Sequence, residues 1–153
     1  MRLEELAEDF PAAELGADAA EAVLQMAAAH RVGIVVLDGA GAPLAVLTGA
    51  RILAAVIPRY LRDDPGLARV VDQNAADEIF ERLAGKTVAD LLPRREERSE
   101  PPVLGVDDTS MEAAVMMAAT GSPLVAVTRD GRFVGAVTIS RLLRFAAERA
   151  EER

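Results

Sequence analysis

Two stretches of this chain repeat one pattern ninety positions apart, with Thr48 matched by Thr138. Residues 34–53 read IVVLDGAGAPLAVLTGARIL, and residues 124–143 read LVAVTRDGRFVGAVTISRLL. Each is an apolar run, a polar turn built on Asp and Gly, a second apolar run, and then Thr-x-x-Arg leading into helical spacing. A chain that carries one supersecondary unit twice is held to a pseudo-symmetric fold, because both copies present the same apolar faces for burial. The groove between such copies is where a ligand is expected.

The composition narrows the chemistry. At 153 residues the chain is expected to form one compact module that buries roughly two-thirds of its unfolded surface. Trp is absent and there are only four Phe and one Tyr, so the core has to be built from Ala, Val, Leu, Ile and Met. A net charge of −8 argues against a nucleic-acid binder, which needs a basic face for phosphates, though it leaves room for a local basic pocket. Without Cys there is no thiol nucleophile, disulfide or thiolate metal site, and His30 is the one imidazole. No run reaches the eighteen or so apolar residues of a membrane span. The acidic opening segment lacks a signal-peptide pattern, so a cytoplasmic location is expected. Basic residues are almost all Arg, Lys86 excepted, and Ala is abundant, which reads as the composition of a GC-rich genome.

Periodicity and breaker residues give the organisation. Leu3, Leu6 and Phe10 share one face of a short opening helix ended by Pro11. A short extended piece at 12–15 follows, then a helix capped by Asp18 with Glu21 three residues on. That helix is expected to turn Ala22, Val23, Met26 and Ala27 inward and to finish near His30. Strands at 33–37 and 43–47 flank the turn Asp38-Gly39-Ala40-Gly41, and their continuous apolar runs predict cover on both faces. The next helix, about 50–61, is kinked or ended by Pro58. The second copy repeats the plan: a short helix at 87–93, an extended piece at 103–106, and a helix capped by Asp108 or Thr109 that holds Met111, Ala114, Val115 and Ala118. Strands at 124–127 and 133–137 and a helix at about 139–150 complete it. The boundaries drawn are 1–62 for copy one, 63–85 for a connector of two short helices, and 86–153 for copy two. The charged stretch 94–100 is expected as an exposed loop.

The segments Gly41-Ala42-Pro43-Leu44-Ala45-Val46-Leu47-Thr48-Gly49-Ala50-Arg51 and Gly131-Arg132-Phe133-Val134-Gly135-Ala136-Val137-Thr138-Ile139-Ser140-Arg141 carry a resemblance. They are similar to the Gly-x-hydrophobic-x-Gly-hydrophobic-hydrophobic-Thr-x-x-Asp ending of CBS domains. The whole chain resembles a tandem CBS pair, or Bateman module, of the small stand-alone kind common in actinobacteria. The resemblance implies an α/β (α+β) fold of two pseudo-symmetric β-α-β-β-α repeats. It also implies adenosine-type ligands of the AMP, ADP or ATP class, a homodimer, and regulation of an effector protein, with no required cofactor. Thr48 and Thr138 match the threonine that meets phosphate or ribose. Arg51 and Arg141 stand where the family has the ribose-binding Asp. Val32 with Gly33 and Ser122 with Pro123 match the segment that contacts the base, and Ala45 and Gly135 match the close-approach position on the strand.

The Thr-x-x-Arg corner has a chemistry of its own. A Thr between strand and helix can cap the helix, whose start offers free N–H groups and partial positive charge to an anion. An Arg three residues on opposes that dipole at a cost of about 0.3–1 kcal/mol. Two readings of Arg51 and Arg141 stand. In one they add a charged fork to a phosphate cradle. In the other they point to solvent or pair with a nearby carboxylate. Gly135 likewise either admits a ligand to the sheet or relieves crowding. An enzyme is not expected, because no His, Cys, Ser or carboxylate set converges by spacing and no Gly-rich phosphate loop is present. The functions that remain are a ligand-sensing regulatory module and a ligand-free module that dimerises and docks on a transporter or enzyme.

Overall fold

The computed structural model of the protein describes residues 1–153. The first copy runs α1 (Leu3–Leu6), β1 (Ala12–Glu14), α2 (Ala19–Ala28), β2 (Gly33–Leu37), β3 (Pro43–Thr48) and α3 (Gly49–Val56). Next come α4 (Arg59–Asp63), which ends where the expected connector begins, a 3-10 helix at Pro65–Val70 and α5 (Gln73–Glu81). The second copy runs α6 (Val88–Leu91), β4 (Val103–Gly105), α7 (Ser110–Thr120), β5 (Leu124–Arg129), β6 (Arg132–Thr138) and α8 (Ile139–Glu151). The strands form two three-stranded sheets, ordered β1-β2-β3 and β4-β5-β6, which is the mixed α and β repeat read from the sequence. No helix is long and apolar enough to cross a membrane.

Local chemistry explains the boundaries. The Asp18 carboxylate accepts from the Glu21 N–H at 3.0 Å and starts α2. Thr109 and Glu112 form a full capping box at α7, with Glu112 accepting from the Thr109 N–H at 2.7 Å and Thr109 accepting from the Glu112 N–H at 3.2 Å. Pro58 ends α3, and the chain restarts as α4 directly after it. In the first hairpin turn Asp38 accepts from the N–H groups of Ala40 and Ala42. In the second, Asp130 and Gly131 both take positive φ (54° and 80°), as a two-residue hairpin turn requires. Strand β4 lies parallel to β5. Strand β6 lies antiparallel to β5, and a register slip between Val127 and Thr128 leaves Val134 with no residue opposite.

Several expectations change. Helix α1 stops at Leu6, so Phe10 lies beyond it, although it is still buried. Strand β2 is buried on both faces, but β3 is only half-buried before Leu47. Ala27 of α2 is exposed. Helix α7 buries Ala113 and Met117 and leaves Met111 and Val115 exposed, because Ala and Met on every side of this helix make its inner face ambiguous by pattern. The charged stretch 94–100 contains a short 3-10 turn at Arg95–Glu97.

The chain divides into two compact units. A central unit comprises Pro11–Val36 and Leu47–Ser99, and a C-terminal unit comprises Met1–Phe10, Leu37–Val46 and Glu100–Arg153. Helix α1 therefore packs in the unit that holds the second copy's strands, and α6 packs in the unit that holds α2 and α3. Both are docked by the same hydrogen bonds. In the C-terminal unit the N–H groups of Leu3, Glu4 and Ser110 donate to the carbonyls of Asp108, Val106 and Met1. In the central unit those of Val88, Ala89 and Ala19 donate to Ala17, Leu15 and Lys86. Leu3 and Leu6 join Val106, Ala113, Met117, Val125, Val127 and Val137 in one buried cluster. Val88 and Leu91 are buried in the same way in the central unit.

A four-residue helix has no stability of its own, so the apolar docking must hold it. Leu6→Ala and Leu91→Ala, at positions that are each 1% exposed, should each cost about 2–5 kcal/mol in a urea melt. Leu24→Ala, at a position 69% exposed, should stay within about 0.5 kcal/mol of the parent. A Leu6→Ala protein as stable as the parent would contradict this docking.

Candidate functional site

Each unit contains one Thr-x-x-Arg corner, built alike. In the central unit β3 ends at Thr48, whose extended backbone caps α3 and whose hydroxyl accepts from the Arg51 N–H at 3.3 Å. In the C-terminal unit β6 ends at Thr138, whose hydroxyl accepts from the Arg141 N–H at 3.1 Å. The first helical N–H is also engaged: Gly49 donates to the Val32 carbonyl at 2.9 Å, and Ile139 to the Pro123 carbonyl at 2.8 Å. Each corner is thus tied to the start of the neighbouring strand. Strand β5 pairs Leu124 opposite Thr138.

These bonds fix what a corner can offer. Two of the donors at each helix start are used by the fold, and the threonine spends one lone pair as a cap. Its hydroxyl proton is not used by that bond and can be donated outward. Neither Arg51 nor Arg141 takes part in an ion pair. Arg51 is exposed and Arg141 half-buried. Thr138 is buried at 9% exposure, whereas Thr48 is half-buried. The second corner is therefore the more enclosed. Of the second reading, the carboxylate pair is not formed, while the exposed Arg51 fits its other form, a side chain in solvent.

The remaining sequence candidates separate. Val32 is 58% exposed with its carbonyl pinned, so its side chain is presented outward beside the Thr48 corner. Its hydrogen-bonding counterpart in the second copy is Pro123, not Ser122, so the two strand-entry segments align one residue away from the expected match. The Ser122 hydroxyl donates to the Leu124 carbonyl at 2.7 Å and is committed to the strand start. Gly33 is needed for packing, since a Cβ there would lie 3.0 Å from the Leu47 carbonyl oxygen. Gly135 is a correction of the same kind. Glu8 and Ala136 exchange backbone hydrogen bonds at 2.8 and 3.0 Å, and a Cβ on Gly135 would lie 2.7 Å from the Glu8 oxygen. That space is filled by backbone and admits no ligand. Ala45, at the matching place on β3, is half-buried.

The sequence reading missed a basic groove of about 490 Å³ in the central unit, lined by Arg51, Arg59, Arg62, Arg82 and Arg94. Asp90 and Glu97 are its carboxylates. The Asp90 carboxylate accepts from the Thr87 N–H at 2.8 Å and hydroxyl at 3.2 Å. First the Thr87 N–H and then its hydroxyl hold this carboxyl below its ordinary value of 3.8, with Lys86 adding to the effect and burial opposing it. Asp90 is therefore ionised at neutral pH and occupied as a helix cap. A signal was present in the charge distribution. Residues 51–99 hold nine basic and nine acidic side chains, so the whole excess of −8 lies outside them.

The family description "CBS domain" matches residues 88–148. A CBS domain-containing protein of unknown function from Kribbella flavida is 42% identical and superposes with a TM-score of 0.82, covering 96% of this chain and 99% of that one. The CBS domain of a membrane protein from Sphaerobacter thermophilus is 19% identical, with a TM-score of 0.70 over 94% of this chain and 86% of that one. CBSX2 in complex with AMP is 17% identical, with a TM-score of 0.65 over 96% of each chain; CBSX2 is from Arabidopsis thaliana. No curated protein matches the chain.

The caps are testable apart from any ligand. Thr48→Ala and Thr138→Ala should each lower stability by about 0.5–2 kcal/mol, with the buried Thr138 at the upper end. Thr→Ser at either position should restore most of the loss. Thermal denaturation of the four variants measures this, and equal stability for Thr138→Ala and Thr138→Ser would show that the hydroxyl is not a cap.

Proposed function

The chain belongs to the CBS-domain family, and we propose that it is a ligand-sensing regulatory module. It takes an adenine nucleotide or a related anionic small molecule at its Thr-x-x-Arg corners and passes the bound state to a partner protein in the cytoplasm. CBS-domain modules regulate rather than catalyse. The observation that carries this reading is the pair of corners in which a threonine hydroxyl caps a helix start and an arginine without an ion pair stands three residues on. The AMP complex of CBSX2, a protein of the same fold, supports the nucleotide class.

Arginine in place of aspartate changes what the corner selects. An Asp carboxylate accepts hydrogen bonds from ribose hydroxyls, whereas a guanidinium only donates, and its planar fork matches phosphate. The phosphate, more than the ribose, then provides the recognition. AMP, ADP and ATP should raise the melting temperature while adenosine does not; a ligand at about 100 times its Kd contributes roughly 2.7 kcal/mol. Arg51→Asp combined with Arg141→Asp should reverse the order, gaining adenosine and losing the nucleotides. The absence of a shift with every nucleotide would overturn the proposal.

A second reading, a module that dimerises and docks without ligand, is favoured by one observation. Leu24 of α2 and Leu53 of α3 are 69% and 50% exposed, and their counterparts Val115 of α7 and Leu143 of α8 are 61% and 62% exposed. Apolar exposure at matching positions of both copies is what a homodimer interface through these helices would need. Sedimentation velocity should show a dimer that Leu53→Asp with Leu143→Asp converts to a folded monomer. A parent protein that sediments as a monomer throughout would sink this second reading.

A further inference from the structure

The groove of the central unit lies apart from the Thr48 hydroxyl, with Arg51 as the residue shared with that corner. Its lining includes the small or apolar residues Ala54, Ala55 and Leu91. Arg51 stands one turn before Ala54 and Ala55 on the same face of α3. Arg59 and Arg62 come from α4, Arg82 follows α5, and Arg94 follows α6. Three of the five arginines thus come from α4 and the end of α5, beyond the Thr48 corner.

The charge balance points to an occupant. Five arginines and two carboxylates line it, and one of the carboxylates, Asp90, is committed to Thr87. Only Arg59 has an ion pair, a 3.7 Å contact with Asp63 in which both side chains are well exposed; Arg51, Arg62, Arg82 and Arg94 have none. Holding like charges together without counter-ions is unfavourable, and a multivalent anion removes the cost. The volume is that of a small-molecule pocket, and guanidinium forks suit phosphoryl oxygens.

We propose that this groove binds a linear oligophosphate through Arg51, Arg62, Arg82 and Arg94. The oligophosphate is either the tail of a nucleoside polyphosphate or inorganic tripolyphosphate. The inference rests on the preceding reading only through Arg51, which belongs to both the corner and the groove.

Isothermal titration of the full chain with tripolyphosphate, ATP, AMP and orthophosphate tests it. Tripolyphosphate should bind, with affinity falling as salt rises, and orthophosphate should bind far more weakly. Arg62→Gln with Arg82→Gln should lower tripolyphosphate affinity about tenfold or more and leave AMP unchanged. Arg144→Gln with Arg149→Gln on α8, which removes the same charge elsewhere, should change nothing. If ATP binds tenfold or more tighter than tripolyphosphate, the source is the nucleotide tail; equal affinity points to the inorganic chain. Tripolyphosphate that fails to bind, or binds the Arg62/Arg82 variant as tightly as the parent, overturns the inference. AMP binding would still stand in that case, so failure here is distinct from failure of the regulatory reading. Unchanged melting temperatures of the variants exclude misfolding, since all four arginines substituted are at the surface.

Discussion

The docking of two four-residue helices in units assembled from distant parts of the chain underlies everything else in this structure. Helices α1 and α6 cannot persist as isolated turns. They exist because Leu3 and Leu6, and Val88 and Leu91, are removed from water, and because three backbone N–H groups per unit find carbonyls across the junction. The docking also shapes its surroundings. The segment after α1 runs on to pair Glu8 with Ala136, and that close approach is what requires glycine at 135.

The Thr-x-x-Arg corners serve the fold before they can serve any ligand. Capping is an internal need of α3 and α8, met by Thr48 and Thr138. What remains to a ligand is a hydroxyl proton and a cation that the helix dipole disfavours. In a chain of net charge −8, the groove lined by five arginines and two carboxylates departs from the overall balance.

Much of this was legible in the sequence. The duplication, the Asp and Gly turns, the cap at Asp18, the narrowing of the second cap to Asp108 or Thr109 and the break at Pro58 all follow from local chemistry, and local chemistry is what a sequence displays. The inner face of α7 was not legible, because Ala and Met residues surround it and no polar stripe marks the outside. Nor was the partner of Gly135, since Glu8 lies more than a hundred residues away and nothing in either segment announces the other. The one-residue offset between Val32 and Pro123 arises because the first hairpin has a longer turn while the second has a two-residue turn and a bulge at Val134. The basic groove depends on four separate helices and the loop after α6 meeting, so the only trace of it in the sequence is the neutrality of residues 51–99.

The pairing of Leu3 with Asp108 and of Glu8 with Ala136 has a bearing on how the protein is made. During synthesis at about 5–20 residues per second, the opening segment waits on the order of ten seconds for β6 to emerge. The central unit, complete by Ser99, is free to form first. Until β5 and β6 emerge, Leu3, Leu6 and Phe10 lack the unit that buries them, and they are flanked by Glu4, Glu5, Glu8 and Asp9. That acidic setting keeps a sticky stretch soluble while its partner strand is still on the ribosome.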